Sequence, residues 1–242
     1  MDRPENAAAG ESATKQAAPA SAMSLGQSNR LALVEFVIVA LIFIADHRHL
    51  IPVSKTPFLL LLGWISLRIR KRSWRDVGLS RNRSWTLTLA LGVGGGLLLE
   101  VFQLFVTQPL LARLTGEQPD LSDFRLITGN VKYALIGVAL AWTLAAMGEE
   151  LVWRGYLMNR VADLRRGTRV AWFCSLLAVN ALFGLAHSNQ GPTGIIEEGI
   201  AGAFLAGMYL QTGKNLAVPI LAHGTSDTLD VLLLFLGKYP GT

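Results

Sequence analysis

The sequence predicts an all-α fold, a polytopic transmembrane helical bundle of about seven spans, within a range of six to eight. Three observations lead there. Of the 242 residues, 51% are hydrophobic and 16% charged, against about 25% charged in an average soluble domain. Mean hydropathy is +0.40. Charge is also unevenly placed: Arg68, Arg70, Lys71, Arg72, Arg75, Arg81 and Arg83 crowd one stretch between segments that carry almost none. The net charge of +5 and a pI near 9.7 therefore fit the positive-inside pattern of a membrane protein and do not call for a nucleic-acid partner. No segment shows the alternating pattern of an outer-membrane barrel. The single cysteine, Cys174, excludes an intramolecular disulfide and a Cys-rich zinc module.

Residues 1–29 are rich in Ala, Ser, Gly and Gln and cannot bury enough apolar surface to offset ordering, so they read as a disordered tail. They also lack the basic-then-apolar order of a signal peptide. Residues 30–242 form the transmembrane domain, with the chemistry-bearing core at 130–230. The first span runs Leu31 to Ala45, broken only by Glu35, and a short second runs Pro57 to Ile69. A third, Trp85 to Val106, holds Gly94–Gly96 and Glu100. The fourth begins near Val131, is apolar to Met147, and continues through Glu149 and Glu150 as an amphipathic stretch to Arg166. The fifth, sixth and seventh run Val170–Ala186, Ile195–Leu210 and Leu216–Leu236. A crossing needs roughly 17–25 residues, so several runs are marginal.

Loop charge sets the orientation. The 68–83 loop has only Asp76 against its cations and belongs in the cytoplasm. The 108–130 connection, with Glu117, Asp120 and Asp123 against Arg113 and Arg125, belongs outside. The turn carrying Arg160, Arg165, Arg166 and Arg169 returns inside. The first two spans then form a hairpin from a cytoplasmic N-terminus.

Several side chains are out of place in such helices, because a charge at the bilayer centre costs roughly 2.5–3.5 kcal/mol on insertion scales. They are Glu149, Glu150, Arg154, His187, His223 and Asp227. Glu150 and Arg154 are spaced i, i+4 and can pair as a purely structural ion pair. Phe183 with His187, and His223 with Asp227, also share helix faces. Counted from the turn at Gly167, Glu149 and His187 lie roughly 27 and 30 Å up their helices, at about one level. Two chemistries suit such a set. In one, a buried carboxylate and a His deprotonate water while a second His steadies an oxyanion. In the other, Glu149, His187, His223 and Asp227 supply ligands to a divalent metal such as zinc. The single-helix H-E-x-x-H arrangement is absent, and the residues alone leave both routes open.

Glu149-Glu150-Leu-Val-Trp-Arg154, Phe183-Gly-Leu-Ala-His187 and His223-Gly-Thr-Ser-Asp227 resemble, in order, the E-E-x-x-x-R, F-x-x-x-H and H-x-x-x-N/D motifs of one family. That family is the CPBP (CAAX protease and bacteriocin-processing, or Abi) intramembrane proteases, which include the type II CAAX prenyl endopeptidases. Gln211-Thr-Gly-Lys-Asn-Leu before the last motif and Trp74-Arg-Asp-Val-Gly-Leu79 also resemble family members. The resemblance implies an intramembrane endopeptidase in which Glu149 and His187 activate water and His223 and Asp227 stabilise the oxyanion. Glu150 and Arg154 would brace the site and Phe183 pack against it. The family has been described both as metal-dependent and as a metal-free glutamate protease, so it implies no certain cofactor. Asp227 stands where the prenyl-processing branch tends to carry Asn; an ionised Asp cannot donate to an oxyanion, though it can orient His223 or bind a cation.

The expected partners are membrane lipid and a peptide or protein substrate, prenylated or not. The expected location is a bacterial inner membrane, with the endoplasmic reticulum second. A proton-coupled transporter using the carboxylates as a relay, and a non-catalytic binding or immunity protein of the same fold, are the alternatives. Elsewhere, Asp46-His47-Arg48-His49 reads as a solvated loop, Glu197 and Glu198 as acidic residues favoured at a helix N-terminus, Glu35 as interfacial, Cys174 as a small core residue, and Gly94–Gly96 as part of a lateral opening.

Overall fold

The computed structural model describes residues 25–51, 54–79 and 84–240. Arg81, Arg83 and residues 1–24 of the expected tail lie outside the described residues. The described chain is all helical, with seven main helices: α1 (Leu25–His47), α2 (Thr56–Ile69), α3 (Trp85–Thr115), α4 (Val131–Asp163), α5 (Arg169–Leu185), α6 (Gly191–Gln211) and α7 (Ala217–Phe235). Side chains at three starts satisfy backbone N–H groups that lack intrahelical partners. Ser84 Oγ accepts from Leu87 N, Asn130 Oδ1 from Lys132 N and Tyr133 N, and Thr168 Oγ1 from Ala171 N.

Among the described residues, four helices are long and apolar enough to cross a membrane, and the α5–α6 pair, bent by 57° at its break, makes five if it counts as one span. The second expected span, α2, has 14 residues, fewer than the usual crossing length. The outer surface is nevertheless continuously apolar: Leu33, Leu41, Phe58, Leu98, Phe105, Leu135 and Phe173 are all exposed. In water this area would be an aggregation liability; in a hydrocarbon layer it is solvated.

The connections sort to two ends. At one, Arg72 pairs with Asp163 at 3.6 Å, Tyr209 Oη donates to Val77 O, and Leu216 N donates to Gly78 O. Gly78 is obligatory there: at φ 121° any Cβ would sit 2.1 Å from Lys214 O. At the other end, Asp120 N donates to Gln190 O, Thr115 and Thr193 share a hydroxyl bond, and Gln108 Nε2 donates to Tyr239 Oη. The basic 68–79 and 163–169 loops thus share one end and the acidic 116–130 connection lies at the opposite end, the alternation that loop charge predicts.

Packing is tight around α4. Trp153 stacks edge-on against Phe43 of α1 and Phe183 of α5, with centroids 5.8 and 5.2 Å away. Most of α4 is also wound wide, with π-type bonding over Ala141–Glu149 and Leu151–Met158, a distortion concentrated at functional sites. The glycines of α3 are mainly a packing surface. A Cβ on Gly96 would lie 2.4 Å from Ala222 O, and one on Gly95 would lie 2.2 Å from Met208, while Gly94 faces open space.

Three expectations are corrected. Glu35 is buried and paired with Arg70, which also donates to Ser66 Oγ at 2.8 Å, because a carboxylate facing α2 must find a cation. Cys174 is exposed on α5, since the buried stripe of that helix runs through Ala171, Ser175 and Val179. Glu197 and Glu198 lie in the second turn of α6, which begins at Gly191, and are not caps; Glu197 is buried and accepts from Gln103 Nε2 at 3.4 Å.

Candidate active site

Glu150 and Arg154 sit on one face of α4, and both have 0% exposure. Arg154 Nη1 donates to Glu150 Oε1 at 2.7 Å. Its other terminal nitrogen reaches across to α6 and α5, donating to Gly202 O at 2.6 Å and to Asn180 Oδ1 at 3.3 Å. The guanidinium lies over the Phe183 ring, 5.0 Å from its centroid. Gly202 is what admits it: a Cβ there would meet Asn180 Oδ1 and Phe183 at 2.8 Å and the guanidinium at 3.3 Å. Glu150 Oε1 also lies 3.0 Å from His223 Nδ1. One buried ion pair therefore ties α4, α5, α6 and α7 together.

His223 is held from both sides. Its Nδ1 faces Glu150, and its Nε2 stands 3.5 Å from Asp227 Oδ1, a long contact that leaves this N–H free to turn to another acceptor. Asp227 itself is half-buried.

His187 lies just beyond the end of α5, heading the tight turn Ser188–Gln190, and is half-buried. The helix expected over Val170–Ala186 ends at Leu185, within one residue, so His187, read as sharing a helix face with Phe183, falls in the turn instead, and Gln190 N closes that turn onto His187 O. His187 Nδ1 is 2.9 Å from Phe183 O. A carbonyl only accepts, so Nδ1 is the donor in this bond and Nε2 is the ring's remaining site for a proton. The ring also packs on Phe183 with centroids 4.8 Å apart. Phe183 is thus shared: the Arg154 guanidinium lies over its ring and His187 packs against it. Glu149, half-buried on the adjoining face, makes no ion pair among the described residues. It lies within electrostatic reach of Arg154, His223 and Asp227.

Asn180, Gly202 and Glu198 were not singled out as site residues by sequence. Asn180 is the one with a signal, being a buried amide in the middle of an apolar helix. Gly202 is one of many glycines, and Glu198, on α6, lies within electrostatic reach of Arg154 and Asp227.

For a metal, the donors do not converge. Among the described residues, no three His, Cys, Asp or Glu side chains form a group that could hold an ion. His223 has both nitrogens turned to carboxylates and His187 has one turned to backbone, so the set does not match a three-ligand zinc site. The H-x-H pair His47 and His49 is exposed, and its neighbour Asp46 pairs with Lys55 at 2.9 Å.

The order of three motifs on α4, α5 and α7 is the decisive pattern. Residues 131–229 match the Type II CAAX prenyl endopeptidase Rce1-like family. The matched stretch starts at the first residue of α4 and ends within α7, so it contains every motif residue and all of α5 and α6. It bears out the resemblance read from the motifs, and with the apolar helices it supports an integral membrane peptidase of the CAAX-protease type. No curated protein and no solved structure matches the chain. Within this Rce1-like segment, α6 contributes the Gly202 carbonyl although it carries none of the three motifs.

Proposed function

We propose that the chain is an intramembrane endopeptidase of about seven spans that hydrolyses a peptide bond at or near the membrane, with water activated by Glu149 and His187. The observation that carries this reading is the bond from His187 Nδ1 to Phe183 O, which leaves Nε2 as the ring's site for a proton, on the same Phe183 ring that the buried Arg154 overlies.

In the proposed reaction, Glu149 and His187 Nε2 take a proton from water as its oxygen attacks the scissile carbonyl carbon. General-base assistance of this kind contributes about 10²–10⁴-fold. The carbonyl oxygen becomes an oxyanion, and the His223 Nε2–H turns from Asp227 to donate to it. Asp227, acceptor-only when ionised, orients His223 and holds its charge. The proton taken from water passes to the leaving amide nitrogen as the C–N bond breaks. Glu150 and Arg154 fix His223 and the Phe183 shelf on which His187 rests.

The substrate is a membrane-associated peptide or protein C-terminus, with a prenylated tail as the first class to test, and the host membrane is a bacterial inner membrane. The test compares purified wild type with Glu149→Gln and His187→Asn on prenylated and unprenylated peptides, with and without chelator. Cleavage lost in both variants, with unchanged melting, supports the reading. Chelator-sensitive activity overturns the metal-free route. Proton-driven substrate movement across vesicles without cleavage would identify a transporter, and binding without turnover an immunity or scaffold protein.

A further inference from the structure

At the basic end of the bundle, the 70–79 loop, the α4–α5 turn and the α6–α7 turn border an open hollow of about 480 Å³. Lys71, Arg72, Arg166 and Lys214 line it with Trp172 and Asn159. Two carboxylates also face it, and both are engaged. Asp163 pairs with Arg160 at 2.8 Å and Arg72 at 3.6 Å, and Asp76 accepts from Ser73 N and Oγ at 2.7 and 2.8 Å. Lys71, Arg166 and Lys214 have no carboxylate within ion-pair distance among the described residues. Lys214 Nζ instead lies 3.8 Å over the Trp172 ring.

The backbone carries a second, independent signal. Among the described residues, the non-glycine positions with positive φ are His49, Lys71, Arg166 and Lys214, and the last three all line this hollow, at 55°, 54° and 66°. Each follows a helix C-terminus, where Gly or Asn takes the left-handed conformation cheaply. Placing Lys, Arg and Lys there sacrifices backbone ease for charge. The helix macrodipole favours cations near a C-terminus, yet it acts on any residue of the last turn and asks for no left-handed one. Strain kept at one spot points to a ligand. Lys214 is exposed, yet partial desolvation, against the opposing pull of Asp163 and helped by the nearby Arg72 cation, holds its ammonium below its ordinary value, an imbalance a bound anion relieves.

The four cations lie two or three residues beyond α2, α4 and α6, where apolar spans give way to headgroups, and Trp172 is the aromatic expected at that depth.

We propose that this hollow binds the phosphate of an anionic phospholipid headgroup, held by Lys71, Arg166 and Lys214 with Trp172 as its floor. A lipid there would clamp the three turns and so fix α4, α5 and α6, the helices that meet at Arg154.

The test uses the full-length, delipidated protein in neutral detergent, titrated with phosphatidylglycerol, phosphatidylcholine or inorganic phosphate, with bound lipid read by native mass spectrometry. Phosphatidylglycerol is retained over phosphatidylcholine, and the preference falls about fivefold for each cation removed in Lys71→Gly, Arg166→Gly and Lys214→Gly. Because glycine relieves the left-handed strain, the same variants melt no lower than wild type without lipid. Equal retention of both lipids overturns the proposal, as does displacement of phosphatidylglycerol by inorganic phosphate at equal concentration, which would make the ligand a free anion. Variants that melt lower and keep the preference would show the cations to be helix caps only. Peptide cleavage is not part of the readout, so the result stands or falls apart from the proposed protease activity.

Discussion

Replacing Arg154 with Met removes a donor pair that nothing nearby can replace. The side chain has 0% exposure and gives Glu150 Oε1 its 2.7 Å bond and Gly202 O its 2.6 Å bond. Met fills much of the volume, so little of the loss is cavity. What is left is a Glu150 carboxylate with no solvent, its Oε2 already without a partner, and only His223 to answer it. Removing one member of a buried pair costs about 3–5 kcal/mol, mostly from stranding the other charge. Glu150→Gln in the same chain removes that charge, so the double variant should recover about half the loss. The cycle is measured by reversible denaturation in mixed micelles, all four proteins in one lipid background. A single-variant loss below about 1 kcal/mol would mean that the pair is not the buried charge unit described here. A double variant no more stable than the single would mean that the cost is packing, and the electrostatic reasoning fails.

Gly202→Ala should destabilise by about 1–3 kcal/mol by overpacking, because its Cβ would sit 2.8 Å from both Asn180 and Phe183; a melt unchanged from wild type would contradict that. Gly96→Ala should be destabilising while Gly94→Ala is neutral, since only the first meets α7 backbone, at 2.4 Å; parallel thermal melts decide it, and a wild-type melt for Gly96→Ala would refute the packing role. Glu149→Gln should leave stability within about 0.5 kcal/mol of wild type, unlike Glu150→Gln, because Glu149 is half-buried and makes no ion pair among the described residues. Asp76 is held below its ordinary value by the Ser73 backbone N–H and hydroxyl. Its contribution is therefore complete above the unfolded-state value and is lost as pH falls through the lower folded-state one; Ser73→Ala removes the hydroxyl and keeps the backbone N–H, so it should make that acid limb shallower in pH-dependent melts without abolishing it, and an unchanged limb would refute the hydroxyl's part.

Much of this was legible in the chain because the bilayer is a severe solvent. Apolar runs, basic loops and the all-helical class follow from transfer energies that act residue by residue, and they place α2, α4, α5 and α7 within a few residues of where they lie. The site was legible for a related reason: Glu150, Arg154 and His223 are expensive in apolar helices, so their presence demands mutual partners, and i, i+4 spacing already put Arg154 beside Glu150. The wide winding of α4 and the start of α6 at Gly191, ahead of the expected Ile195, were not legible. The start of α6 is held from a distant connection, with Asp120 N donating to Gln190 O and Thr193 Oγ1 to Glu117 O, which no local pattern encodes.

The same division holds at the level of single residues. The sequence by itself determined which side chains could not face lipid, because that cost is local and counts against every conformation. Only the tertiary structure decided whom they meet: that Arg154 crosses to Gly202 and Asn180 while Glu150 turns to His223, that Glu35 finds Arg70, and that three left-handed cations close around one hollow. Those pairings join residues far apart in the chain, and which pairings form depends on helix register and on the few places where a glycine lets two backbones approach.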